Sequence, residues 1–105
     1  MSAAADEAGY VGYLRVRVKV EKRDEFIDLI RTLRADVRRE LDGVTFYEFL
    51  ATADPLEFVL LQGFADEGAY QRYANAPFHV AMAPAGWACL DGDPHIEFMG
   101  PVKHP

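Results

Sequence analysis

The sequence predicts an α+β fold: one four-stranded antiparallel sheet with its helices packed on a single face. Three observations carry this. Apolar residues recur with a period of two in some stretches and of three to four in others, in the order β-α-β-β-α-β. Residues that cap helices or make turns stand where the period changes. The two middle strands are separated by a short turn, so they should pair as a hairpin. That order is the ferredoxin-like arrangement, in which the first strand lies between the third and the fourth.

The first strand is Tyr10–Val20. Leu14, Val16, Val18 and Val20 point one way, and Arg15, Arg17 and Lys19 the other. From its central place the basic row would meet Glu97 across a strand pair. Lys22–Leu41 changes period: Phe26, Ile30, Leu33, Val37 and Leu41 form one apolar stripe on a helix. Asp24 and Glu25 suit its N-terminal end, Arg38 and Arg39 its last turn, and Gly43 can take the left-handed conformation that stops it. Val44–Ala51 is rich in β-branched and aromatic residues and reads as the second strand. Thr52–Glu57 contains Asp-Pro and reads as a turn, and Phe58–Phe64 is the third strand. Asp66 is placed to cap a second helix through about Tyr73. Asn75–His79 interrupts it, and Pro77 opens a short further helix that Pro84 and Gly86 should end. His95–Met99 is the last strand.

The chain of 105 residues predicts one domain over residues 10–100, with a flexible N-terminal tail at 1–9 and a C-terminal tail at 101–105. Apolar residues make up 50 % of it, too many for a disordered chain. The net charge of −6, from 17 acids against 11 bases, argues against nucleic acid and anionic membrane surfaces as partners. No apolar run approaches the roughly 20 residues of a membrane span. The start, MSAAADEAG, lacks the basic and apolar regions of a signal peptide, and Cys89 is the single cysteine. A cytoplasmic location follows by elimination.

Two helical crossovers on one side of a sheet cover one face only. The hairpin strands carry large apolar groups on the other face as well, either Tyr47 and Phe49 or Phe46 and Leu50. Wet apolar surface of that kind is unusual in a monomer. The expected cover is an identical subunit related by a two-fold axis, making a homodimer.

The stretch DPLEFVLLQGFADEGAYQRYANAPF (Asp54–Phe78) resembles the signature of the antibiotic biosynthesis monooxygenase family, a group that includes quinol-monooxygenase-like proteins. EFIDLIRTLRADVRRELDGVTFYEF resembles that family's first helix, its stop and its second strand. The resemblance spans about residues 12–100 and implies a dimeric α/β barrel. It further implies a monooxygenase that uses no metal, flavin or haem, the substrate itself supplying the electrons to molecular oxygen. This chain departs from the family pattern in carrying Gln62 for the usual Glu, Phe64 for the usual Trp and Tyr73 for the usual His, with His79 displaced by one position. The haem-degrading branch needs an Asn on the first strand, and Tyr10–Val20 has none.

Such a reaction needs a dry apolar pocket, a proton acceptor and a few placed polar groups. The candidate catalytic residues are His79, Tyr73 and Gln62. His79 is the candidate base because imidazole titrates near neutrality; its structural alternative is a histidine that faces solvent or caps the helix break. Tyr73 and Tyr47 could donate to an oxygenated ring, or be core phenols with satisfied hydroxyls. Gln62 could orient a substrate oxygen, or bond to backbone. Tyr47, Phe64, Phe78 and Trp87 are the candidate substrate-binding residues. Phe64 also suits the core, and Trp87 would follow a Pro/Gly loop able to act as a lid. The basic row reads as a paired or solvated strand face, His95 and His104 as structural or incidental, and Cys89 as a packed thiol. His79, His95 and His104 lack the spacing of metal ligands. No phosphate-binding glycine loop or nucleophile elbow occurs.

The leading expectation is therefore a cofactor-independent monooxygenase acting on a small quinol or polycyclic phenol. The alternatives are a non-catalytic binding or interaction protein on the same dimeric barrel, or an isomerase or small-aldehyde-degrading relative.

Overall fold

The computed structural model describes residues 8–102. Its elements are β1 (Tyr10–Arg17), a 3-10 turn (Val20–Lys22), α1 (Arg23–Glu40), β2 (Val44–Ala51), β3 (Glu57–Phe64), α2 (Glu67–Ala74), α3 (Pro77–Ala88) and β4 (His95–Met99). The strands form one antiparallel sheet in the order β2-β3-β1-β4, so the fold is α+β and ferredoxin-like, with β1 between β3 and β4 as expected. Most of the two expected tails, and His104 with them, lies outside the described residues. Ala8 is buried and the Gly9 N–H donates to the Phe64 carbonyl at 2.9 Å, so ordered packing begins ahead of Tyr10.

The local reasons for the elements hold in detail. Phe26, Ile30, Leu33 and Val37 are the buried stripe of α1. Gly43 has φ of 79°, the left-handed value that a side chain would disfavour. Asp66 caps α2, its Oδ1 accepting from the Ala69 N–H at 2.8 Å. Pro77 stands at the start of α3, where its missing N–H costs nothing.

Four expectations need correction. Val20 is not on the apolar face of β1: the strand stops at Arg17 and Val20, in the 3-10 turn, is 72 % exposed. Pro84 and Gly86 do not end α3, which runs on to Ala88. Pro84 removes one backbone bond, to the carbonyl of Val80, and Val80 lies on the exposed side, where water can satisfy that carbonyl. Trp87 therefore sits on a helix and not after a lid loop. Finally, the basic row does not meet Glu97. Arg15 pairs with Glu57 at 2.9 Å and Arg17 with Asp54 at 2.6 Å, toward β3 and its turn, while Glu97 pairs with His95 at 3.2 Å.

One sheet face, with Leu14, Val16, Phe58, Leu60, Gln62, Phe64, Tyr47 and Phe49, packs beneath the helices. The alternation left open on the hairpin resolves in favour of Tyr47 and Phe49 inward. A bulge between Val44 and Phe46 sets that register. Phe46, Leu50, Val59, Leu61 and Val11 share the opposite face with Arg15 and Arg17, and no described element covers it.

The core under the helices is divided. Val16, Val18, Phe26, Ile30, Phe58, Leu60, Cys89 and Leu90 form one cluster. Leu33, Val37, Tyr47, Phe64, Ala69 and Tyr73 form another. Helix α1 serves both, through its first and second halves, and the space between them is not filled.

Candidate active site

That space is a cleft with two lobes. The inner lobe, about 70 Å³, has Leu14, Val16 and Leu60 of the sheet as its floor, with Phe26, Ile30 and Leu33 of α1 and Met82 of α3 as walls. The outer lobe, about 120 Å³, extends toward β4 and is bounded by Gly12, Tyr70, Ile96 and Phe98. Leu14, Gln62, Tyr73, His79 and Trp87 line both. This gap at the junction of two clusters, apolar with a few polar groups, is the candidate binding site.

The polar groups come from three elements. Gln62 points under the helices because β3 alternates, and its neighbour across the strand pair is Gly12. A Cβ at Gly12 would stand 3.2 Å from Gln62 Oε1 and 3.4 Å from the Phe98 ring, so the glycine is what lets both side chains lie across β1. Gln62 Nε2 donates to Tyr73 Oη at 3.4 Å, and Tyr73 Oη is 2.7 Å from Tyr47 Oη. Tyr73 projects inward from α2, with Phe64 packed behind its ring at 5.5 Å.

His79 lies in the first turn of α3, its ring centroid 4.4 Å from that of Tyr73. Its Nδ1 is 3.1 Å from the carbonyl of Ala74, the last residue of α2. A carbonyl can only accept, so Nδ1 carries the proton in the neutral ring and Nε2 is left with a free lone pair. The histidine thus caps the helix break and lines the cleft at once.

Burial sets the protonation of the phenols. Desolvation pushes the Tyr73 hydroxyl up to about 12, and that of Tyr47 well above its ordinary value, the latter also through its bond to Tyr73. Both stay protonated at neutral pH.

Of the residues expected from the sequence, Gln62, Tyr73, His79 and Trp87 meet at the cleft. Trp87 is half exposed at its rim. Tyr47 is behind the wall and reaches the cleft through the Tyr73 hydroxyl. Phe64 is fully buried and Phe78 packs against the second cluster, and neither lines a lobe. Gly12, Met82, Tyr70 and Phe98 were not anticipated. Gly12 did carry a signal, as a glycine inside a strand pattern.

The family model described as antibiotic biosynthesis monooxygenase matches residues 6–85. The chain belongs to that family. Membership supports a general monooxygenase-like role. Similar solved structures include a protein of Caulobacter crescentus CB15 provisionally assigned as an antibiotic biosynthesis monooxygenase, with 21 % identity, a TM-score of 0.83 and coverage of 92 % of this chain and 93 % of that one. A conserved protein of Methanosarcina mazei Go1 has 21 % identity and a TM-score of 0.82 over 91 % and 95 % of the two chains. Rv0793 of Mycobacterium tuberculosis has 16 % identity and a TM-score of 0.83 over 92 % and 98 %. At such identities the likeness speaks for the fold alone. No curated protein matches the chain. Among the described residues, no helix is long and apolar enough to cross a membrane.

Proposed function

We propose that this family member is a cofactor-independent monooxygenase that oxidises a small quinol or phenol with molecular oxygen, working as a cytoplasmic homodimer of one domain over residues 10–100. The observation that carries the proposal is the convergence of His79, Tyr73 and Gln62 on an otherwise apolar cleft. A cleft plugged by Phe64 and Trp87 would instead have favoured an interaction protein.

The chemistry balances without a further reductant. His79 Nε2 takes the phenolic proton, and the phenolate sits among the apolar side chains of the cleft. The electron-rich ring transfers an electron to oxygen, and the two radicals join in a C–O bond. Loss of the ring C–H proton and cleavage of the O–O bond leave a new carbonyl and release water. A phenol and oxygen thus give a quinone and water, all four electrons coming from the ring. Gln62 and Tyr73 are the polar groups available to orient ring oxygens.

Size favours a small ring. A cavity of about 150 Å³ holds benzene. The lobes, about 70 and 120 Å³, suit one ring with a substituent. A polycyclic phenol would have to span both. The homodimer is supported by the uncovered face around Phe46, Leu50, Val59 and Leu61.

The test is oxygen uptake with a panel of hydroquinones. We expect saturable uptake, reduced about 100-fold or more in His79→Ala, the usual worth of a general base. If no member of the panel is oxidised faster than in buffer, the proposal fails for this substrate class.

A further inference from the structure

The proposed chemistry leaves one buried hydroxyl unused. Tyr47 lines neither lobe, yet its Oη lies 2.7 Å from that of Tyr73, and the two residues are only 3 % and 4 % exposed. The direction of this bond decides what Tyr73 offers the cleft. A phenol has one proton to give and lone pairs with which to accept. Among the described residues, Tyr73 Oη is the acceptor within reach of Tyr47 Oη. A Tyr47 proton aimed elsewhere would be buried without a partner, which folded proteins avoid. Tyr73 is under no such constraint, because it borders the cleft. Gln62 adds a second donor, its Nε2 at 3.4 Å from the same oxygen. With Tyr47 and Gln62 both donating, the Tyr73 oxygen is filled as an acceptor and its own proton is left for a ligand.

We propose that Tyr47 is a positioning residue that makes Tyr73 an obligate donor, so that the cleft selects rings bearing an anionic oxygen. This rests on the cleft being the substrate site, but it requires no oxidation. The surroundings permit such an anion despite the net charge of −6. No Asp, Glu, Lys or Arg lines either lobe, and the titratable groups that do are Tyr13, Tyr70, Tyr73 and His79. A ligand oxyanion thus meets no carboxylate. Donation by Tyr47 also polarises the Tyr73 O–H, strengthening what it gives.

The probes are 4-nitrophenolate, too electron-poor to react with oxygen, and 4-nitroanisole, similar in shape without an ionisable oxygen. Binding is read from quenching of Trp87, the single tryptophan, which lines both lobes. The unmodified protein should prefer the phenolate by about tenfold or more, the worth of a bond to a charged group. Tyr73→Phe should abolish the preference. Tyr47→Phe should weaken phenolate binding by about three- to tenfold and leave the anisole unchanged. The sign is diagnostic. Were Tyr73 donating to Tyr47, the same variant would free the Tyr73 proton and the phenolate would bind more tightly, overturning the proposal. An equal loss for both probes would overturn it too, leaving Tyr47 a packing role. Should Tyr47→Phe fail to fold, absence of any phenolate preference in the unmodified protein would be decisive against it. Oxygen uptake is measured separately. No uptake with the preference intact sinks the oxygenase proposal alone; uptake without the preference sinks the role of Tyr47 alone.

Discussion

Gly63→Ala should destabilise this protein by far more than the addition of one methyl group suggests. The φ of Gly63 is not positive, so an alanine suits the backbone, and strand propensity would even favour it. The cost lies in contacts. A Cβ at Gly63 would stand 2.6 Å from both Phe46 Cδ1 and Thr45 Oγ1, well inside van der Waals distance. Phe46 is the cross-strand partner of Gly63, and its ring lies over the glycine. The substitution must push that ring aside. Overpacking of this kind costs about 1–3 kcal/mol. For a chain of this size each kcal/mol moves the melting temperature by about 4–8 °C, so a fall of roughly 5–20 °C is expected. Circular dichroism melts of a double-mutant cycle with Phe46→Ala isolate the contact. With the ring removed, Gly63→Ala should cost less by about 1 kcal/mol or more. An equal cost in both backgrounds, or no cost in either, would refute the assignment of the ring to the glycine.

Three further outcomes are expected. Asp66→Ala removes the side-chain acceptor at the start of α2 and should lower unfolding free energy by about 1 kcal/mol, with the denaturant slope unchanged. The Leu56 N–H, and then Arg17, hold the Asp54 carboxyl below its ordinary value of 3.8. Its contribution is therefore full above that value and fades as pH falls through the lower folded one, so Asp54→Asn should flatten the acid limb of a stability–pH curve; an unchanged limb would contradict this. Leu61→Glu places a carboxylate in the uncovered sheet face. If that face joins two copies, sedimentation equilibrium should shift from dimer to monomer with the far-ultraviolet spectrum retained, whereas an unaltered mass would place the interface elsewhere.

The elements written in local periodicity and caps were legible from the sequence. Helix α1, β2 and β4 stand within a residue or two of where the pattern puts them, and Asp66 caps α2 as its position implied. What failed depended on surroundings that one stretch of sequence does not contain. Pro84 reads as a helix stop, yet the carbonyl it strands is on the wet side of α3, so the helix continues and carries Trp87 to the cleft rim. Arg15 and Arg17 find their acids in Glu57 and in Asp54 of the turn before β3, while Glu97 stands opposite Tyr13, a placement set by strand register that the sequence pattern alone does not fix. The cleft shows the same division. His79 and Tyr73 were candidates by residue type, but their ring contact depends on the angle at which α3 leaves α2. The Tyr47–Tyr73 bond depends on a one-residue bulge in β2, which decides whether Tyr47 or Phe46 turns inward and leaves no periodic trace.

Strand β4 has a practical bearing on how the protein must be handled. It is a border strand only five residues long, with Ile96, Phe98 and Met99 each more than two-fifths open to solvent. Its outer rim offers unpaired backbone groups to any passing segment. Its shortness is one safeguard and mutual repulsion between molecules another, and the latter weakens near the sequence pI of about 4.9. Mildly acidic buffers should therefore drive rim-to-rim clumping while each molecule is still folded, and purification is best kept well on the alkaline side of that point.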